Sequence, residues 1–289
     1  TDRSEVVTSP FTFIATASTL KWEGIQPIFS DVRKETLCLD PNLVSEKITN
    51  RTTAILPVHV YGNICAVEHL NDLGRKKNLK IVYDASHAFG VNIDGRGIMA
   101  FGDASVVSFH ATKLFHTIEG GAISFRREED LEFAEKLSNF GMAKDGQVTE
   151  LGINTKLNEF QAAMGLCVLD DIDQIFSERS AVAAEYDRGL SNWVSFPQSE
   201  TKCNKNNAYY PIILENSASA DKVLRDLSNE GIFAKKYFHP SLNTLDVFSP
   251  ANTCPISEDY STRVVCLPIF PSLKRRYVHR IVKIVKDAL

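Results

Sequence analysis

The sequence predicts an α/β protein: a mostly parallel sheet domain followed by a smaller C-terminal α/β domain. Three observations carry this reading. Short apolar, β-branched runs alternate with amphipathic helical stretches through residues 5–125, the pattern of helices layered on a parallel sheet. From about Glu129 the chain turns helical, and residues 158–190 are rich in Ala, Leu, Glu and Arg with few breakers. Short apolar runs then return between further helical stretches. A chain of 289 residues suffices for one large and one smaller domain, and the division is expected at residues 1–178 and 179–289.

In chain order, residues 5–8 read as a strand ended by Ser9-Pro10. Residues 11–22 are apolar at helical spacing, with Gly24 as their stop. Residues 25–29 form the next apolar run. Asp40-Pro41 has the form of an N-cap and first helical position, opening a helix to about Ile48. Residues 53–58 suit a buried strand, Tyr61-Gly62-Asn63 a loop and residues 67–77 an amphipathic helix. Residues 79–83 are a strand that runs into Asp84, and residues 104–109 and 122–125 are two more. In the C-terminal part, residues 209–214, 232–234 and 264–268 read as strands and residues 221–230 and 274–289 as helices. The polar stretch 198–207 reads as a mobile loop.

Composition narrows the class of function. A hydrophobic fraction of 44% and a charged fraction of 24% are those of a globular protein. The net charge of -4 offers no electrostatic attraction for nucleic acid or an anionic membrane. The basic run Lys274-Arg275-Arg276 reads as a solvated helix start. Six scattered cysteines without a Cys-x-x-Cys pair suit reduced thiols. No apolar run is long enough to span a bilayer, and residues 1–10 do not resemble a signal peptide. A cytoplasmic location is therefore expected. His59, His69, His110 and His116 lack metal-ligand spacing, and Cys65 with His69 is a weak i, i+4 pair, so no metal is expected.

The stretch 104–123 carries the chemistry. A buried-strand run leads into Ser108, His110, Thr112 and Lys113, then Glu119-Gly120-Gly121. A lysine just past a strand end, in a partly dry pocket, has a lowered proton affinity and can attack a carbonyl to form a Schiff base. Asp84 closes the preceding strand. Ligands of open α/β sheets bind at the carboxyl ends of strands, so both side chains are expected at one crevice. A Schiff-base lysine with an ionised carboxylate is what pyridoxal phosphate requires, the carboxylate keeping the pyridine nitrogen protonated. Ser108 is a candidate for the phosphate, Phe13 for stacking on the ring and His87 for the ring hydroxyl. Taken singly, each has a commoner structural role: Asp84 a cap, Phe13 core, Ser108 a satisfied strand hydroxyl.

The motifs Ser9-Pro10-Phe11-Thr12-Phe13-Ile14-Ala15-Thr16, Leu56-Pro57-Val58-His59-Val60-Tyr61-Gly62, Tyr83-Asp84-Ala85-Ser86-His87-Ala88-Phe89-Gly90 and Ser108-Phe109-His110-Ala111-Thr112-Lys113 resemble the DegT/DnrJ/EryC1/StrS family. A fifth runs from Gly152-Ile153-Asn154 to Asn158-Glu159-Phe160-Gln161-Ala162-Ala163. The resemblance covers nearly the whole chain in order. It implies an aspartate-aminotransferase-like fold (fold type I of the pyridoxal-phosphate enzymes), a homodimer with shared active sites, and amino transfer from an amino acid, glutamate, to a nucleotide-linked keto sugar. The wording is most similar to members that aminate the 4-keto group of dTDP-4-keto-6-deoxyglucose for cell-surface polysaccharides such as O-antigen or for glycosides. By the same resemblance Lys113 is the Schiff-base lysine and proton carrier, Asp84 the partner of the pyridine nitrogen, His87 the contact to the ring hydroxyl, Phe13 the stacking ring and Ser108 a phosphate ligand. Asn154 would reach the phosphate of the neighbouring subunit's cofactor.

One departure stands out. Family members begin upstream of the position of Thr1, with a helix and an Asn-Gly-Thr-like loop that binds the cofactor phosphate, and no such loop occurs here. The sequence is then either a fragment or a chain that has lost part of its phosphate cradle. Other readings are a 3-keto-sugar aminotransferase, a catalytically impaired relative acting as a binding or structural protein, and a sugar dehydratase of the same fold. In the dehydratases a histidine replaces the lysine, so Lys113 counts against that last reading.

Overall fold

The computed structural model describes residues 4–199 and 202–289 of the chain. Along the first half run β1 (Glu5–Thr8), α1 (Ala15–Trp22), β2 (Gln26–Phe29), α2 (Pro41–Lys47), β3 (Thr52–Leu56), α3 (Val67–Lys77) and β4 (Lys80–Asp84). A small hairpin, β5 (Asn92–Ile93) and β6 (Arg96–Gly97), precedes β7 (Ala104–Ser108), β8 (Gly121–Phe125) and α4 (Glu128–Ser138). Six of these strands form one sheet in the order β2-β1-β3-β4-β7-β8. Every pairing is parallel except β7 with β8. All four residues of β1 are buried, as the apolar run of an interior parallel strand requires. The expected α/β architecture with a mostly parallel sheet is what forms.

Local signals act as their chemistry dictates. The Asp40 side chain accepts the Asn42 N–H at 3.0 Å and opens α2. Asn158 and Gln161 form a reciprocal capping box at the start of α5 (Glu159–Asp170). The long helix α6 (Ile172–Leu190) then leads to β9 (Tyr210–Ile213), α7 (Ser217–Asn229), α8 (Pro255–Arg263), β10 (Val264–Leu267) and α9 (Arg275–Ala288). β9 and β10 pair antiparallel. Val278, Ile281, Val282 and Val285 make the buried stripe of α9, which packs with α6, α7 and this short sheet in a second apolar core. Among the described residues no helix is long and apolar enough to cross a membrane.

Three expectations are corrected. Residues 11–22 do not form one helix; α1 begins at Ala15. Phe11 is instead drawn fully into the main core, edge-on to Tyr61 and Phe238 at 6.2 and 6.3 Å, and the Ser9 hydroxyl caps its N–H at 3.0 Å. Residues 232–234 are not a strand. Gly231 turns the chain at φ +70, Phe233 is left exposed, and pairing resumes only at the bridge from Lys235 to Cys266. The stretch 198–207, apart from Glu200 and Thr201, which lie outside the described residues, is tethered rather than loose. Gln198 N–H reaches Glu35 O at 2.7 Å, Ser199 Oγ accepts from Ile64 N–H at 2.8 Å, and Asn206 Nδ2 donates to His87 O and Phe89 O at 2.8 and 3.0 Å.

His59, in the turn after β3, shows how the core constrains stability. Its ring stacks on Tyr83 at 4.8 Å, and Nδ1 accepts from Cys65 N–H at 3.1 Å. Nε2 is buried and has no hydrogen-bond partner among the described residues. Burial lowers its pKa from 6.5 to about 3. The unfolded chain therefore takes up this proton below pH 6.5, whereas the folded chain resists it until about 3. Stability from this ring is complete above the upper value and is lost as pH falls toward the lower one. Denaturant melts should lose about 2 kcal/mol on this account between pH 7 and pH 5. His59→Gln keeps an acceptor for Cys65 N–H without a titrating ring, and should flatten that slope; equal slopes in parent and variant would refute the assignment.

Candidate active site

The carboxyl edge of the sheet is where the chemistry gathers. Asp84 ends β4 with its backbone clamped on both sides. Its N–H donates to Pro57 O and its carbonyl accepts from His59 N–H, both at 2.9 Å, while Ala85 N–H reaches Val106 O on β7 at 2.8 Å. The side chain is equally fixed. Thr16, in the first turn of α1, donates its hydroxyl to Oδ2 at 2.7 Å, and Ser86 N–H donates to Oδ1 at 3.0 Å. Thr12 and Thr16 share a further hydrogen bond at 2.9 Å. Donors on both oxygens fix the carboxylate's orientation.

Lys113 lies in the turn that follows β7. Its N–H closes onto His110 O at 2.9 Å, and Phe109 N–H and Thr117 N–H tie the turn at 2.8 and 2.9 Å. The side chain is partly buried. Burial pushes the ammonium below its ordinary 10.5, and the Asp84 carboxylate opposes that shift. Nζ donates to the Tyr209 hydroxyl at 3.4 Å.

Asp84 and Lys113 line one cavity of about 400 Å³ together with Phe13, His87 and Ser108, a size suited to a small organic ligand. Five of the six residues singled out in the sequence thus come together. His87 is buried, and its Nδ1 accepts from Tyr61 N–H at 3.1 Å. Burial first, and the Lys113 charge second, hold its pKa well below 6.5. The ring is therefore neutral, with its proton on Nε2. Phe13 is 56% exposed, an aromatic face left open on the cavity wall. Ser108 Oγ accepts from His110 N–H at 3.3 Å. Asn154 is exposed, bridged to Asn139, and away from this cavity's lining.

His110 and Thr112, named in the stretch 104–123 without a role of their own, also line the cavity, as do Thr12, Thr16, Ser86, Tyr209, Tyr237 and Phe238, which the sequence does not single out. Thr12, Thr16, Ser86, His110 and Thr112 sit inside the motifs quoted above, where proximity to Asp84 or Lys113 was a usable signal. The three C-terminal aromatics carried none. A second cavity of about 370 Å³ lies across Tyr61 and Tyr209 and contains Lys205 and Asp187. Its carboxylate is taken up by the Tyr210 hydroxyl at 2.6 Å, and neither charge stands at a strand end of the large sheet. The candidate residues read from the sequence line the first cavity instead.

Comparison with known proteins agrees with this geometry. The dTDP-4-amino-4,6-dideoxy-D-glucose transaminase of Shigella dysenteriae is 36% identical over 292 residues, 99% of this chain and 80% of that protein. The Escherichia coli protein of the same name is 32% identical, over 97% of this chain and 78% of its own. The crystal structure of DesI in the presence of its TDP-sugar product superposes with a TM-score of 0.92 at 30% identity, covering 99% of this chain and 75% of that one. The DegT/DnrJ/EryC1/StrS aminotransferase family profile matches residues 1–286. The chain belongs to that family, and is an aminotransferase of nucleotide-linked amino-deoxysugar biosynthesis.

Proposed function

We propose that the protein uses pyridoxal 5'-phosphate to move an amino group from an amino acid, glutamate, to the 4-keto group of a nucleotide-linked 6-deoxysugar, dTDP-4-keto-6-deoxyglucose. The observation that carries this reading is the pair of Asp84 and Lys113 at adjacent strand ends on one cavity. The names of the two relatives support the sugar and the carbon position. The residues present fit the cofactor: an amine of lowered proton affinity, a carboxylate fixed by two donors, a neutral imidazole and an open aromatic face. When bound, pyridoxal phosphate supplies an aldehyde that condenses with primary amines and a ring that accepts the electron pair left by a departing proton.

The geometry supports the following roles for the protein's own groups. Asp84 would face the pyridine nitrogen and keep it protonated, and Thr16 and Ser86 stop the carboxylate from turning away. Lys113 Nζ, partly desolvated and of lowered proton affinity, accepts and returns protons within the cavity. With the cofactor bound, His87 would offer Nε2–H to the ring hydroxyl, Phe13 would cover one ring face, and Ser108 would contribute to the phosphate site. Asn154 is exposed and bridged to Asn139, and Phe140, Leu151 and Ile153, beside these two residues in the chain, are exposed apolar side chains. Exposed apolar side chains around this turn favour an interface and support a homodimer in which Asn154 reaches the partner's cofactor phosphate.

Three outcomes test this reading. Lys113→Ala should abolish amino transfer and the borohydride-fixed pyridoxyl label on that peptide; turnover of the keto sugar retained by the variant would sink the assignment. Asp84→Asn should keep cofactor binding in part yet slow turnover about a hundredfold or more, because a neutral partner no longer protonates the ring nitrogen. Near-normal rates would reduce Asp84 to a turn residue. For the dimer, Asn154→Ala protein is mixed with Lys113→Ala protein and subunits are allowed to exchange. If Asn154 acts across the interface, each mixed dimer keeps one intact site, and about a quarter of parent activity should return. Exchange without recovery would mean that Asn154 does not serve its neighbour.

A further inference from the structure

The Lys113 amine has a hydrogen-bond partner from the far end of the chain. Tyr209, immediately before β9, accepts from Nζ at 3.4 Å, and its ring centre lies 5.8 Å from the same nitrogen. The ring is wedged among His87 at 4.7 Å and Tyr61 and Tyr237 at 5.8 Å each. The backbone leading into it is held from two sides. Asn206, buried, donates to His87 O and Phe89 O and accepts from Ala208 N–H at 3.0 Å. Arg179, only 7% exposed, spends one terminal nitrogen on three carbonyls: Asn207 O at 3.0 Å, Ala208 O at 3.3 Å and Ile269 O at 3.1 Å. A buried guanidinium is a costly device; here one terminal nitrogen fixes the two residues before Tyr209, while Nε finds no hydrogen-bond partner among the described residues.

The remaining polar groups around the cavity do not offer the amine the same service. Both Asp84 oxygens already accept from Thr16 and Ser86. His87 is neutral, and its free nitrogen is a donor. His110 Nδ1 is engaged with Thr112 at 2.9 Å, and Tyr237 lies edge-on beyond Tyr209. The Tyr209 hydroxyl, kept protonated by burial, has a lone pair to accept with. We propose that Tyr209 is a positioning residue for Lys113: its hydroxyl holds the free amine in the cavity beside Asp84, and the tether at residues 206–208 makes that pose depend on the C-terminal part of the chain. The proposal deepens the function proposed above and rests on Lys113 being the reactive amine.

The test reads the amine directly. The full chain, without added cofactor, is pulsed with acetic anhydride at a series of pH values, and each lysine is quantified by peptide mass spectrometry. An acceptor on Nζ favours the charged form, so its removal lowers the proton affinity further. In Tyr209→Phe, Lys113 should be labelled about threefold to tenfold faster near neutral pH than in the parent, with its titration moved to lower pH, while the other lysines keep their profiles. Phenylalanine retains the ring contacts, so a purely packing role leaves the Lys113 profile where it was; coincident profiles overturn the proposal. Parallel borohydride fixation of pyridoxal phosphate on the parent separates the two readings. Failure to modify Lys113 would count against the cofactor assignment, whereas a normal label with an unmoved titration would count against Tyr209 alone.

Discussion

Asp84 is bonded through its backbone to the β3 side by Pro57 O and His59 N–H, and its successor Ala85 to Val106 on β7. This double parallel pairing is what the site depends on. It brings the ends of β4 and β7 to the same edge, so that Asp84 and the turn carrying Lys113 open on one cavity. Slipping the register of β4 by one residue would turn Asp84 to the opposite face. Thr16 then takes the carboxylate from a different element, α1. The turn before it carries Phe11 into the core and leaves Phe13 at the cavity.

The electrostatics of the cavity follow from how much water each group has lost. Lys113 is partly desolvated, which lowers its proton affinity, while the nearby Asp84 carboxylate opposes that shift. His87 is desolvated beside a cation and stays neutral. The same burial thus depresses both bases, but by opposing and reinforcing charges respectively. This leaves one group suited to moving protons and one suited to donating a fixed hydrogen bond.

The parts of this protein that could be read in advance are those in which local pattern and tertiary demand agree. Asp40-Pro41 and the Asn158–Gln161 box announce helix starts with their own side chains, and β1, β3, β4 and β7 are apolar runs of the right length. Asp84 and Lys113 could be found because strand ends in a parallel sheet have a known destination. The start of α1 could not, since the burial of Phe11 depends on Tyr61 and Phe238, which are distant in sequence. Tyr209, Tyr237 and Phe238 were invisible for the same reason: their place on the cavity wall comes from how the C-terminal part packs, and no local spacing encodes it. Polarity misled at residues 198–207, where Ser199 and Asn206 use their polar groups as anchors to other loops.

The contact between Gly62 and Asn206 has a consequence for how such a chain can change. Gly62 sits at φ +87, and a Cβ there would come within 2.7 Å of Asn206 Oδ1. Asn206 in turn occupies its niche by bonding His87 O and Phe89 O. Position 62 is therefore closed to side chains twice over, by its left-handed φ and by the crowding of Asn206 Oδ1 and the His87 carbonyl, the latter at 3.1 Å. Shrinking Asn206 removes only part of the second obstacle and gives up the strap across the loop after Asp84. Purifying selection should therefore hold both positions, and a change at one opens no evolutionary route for the other.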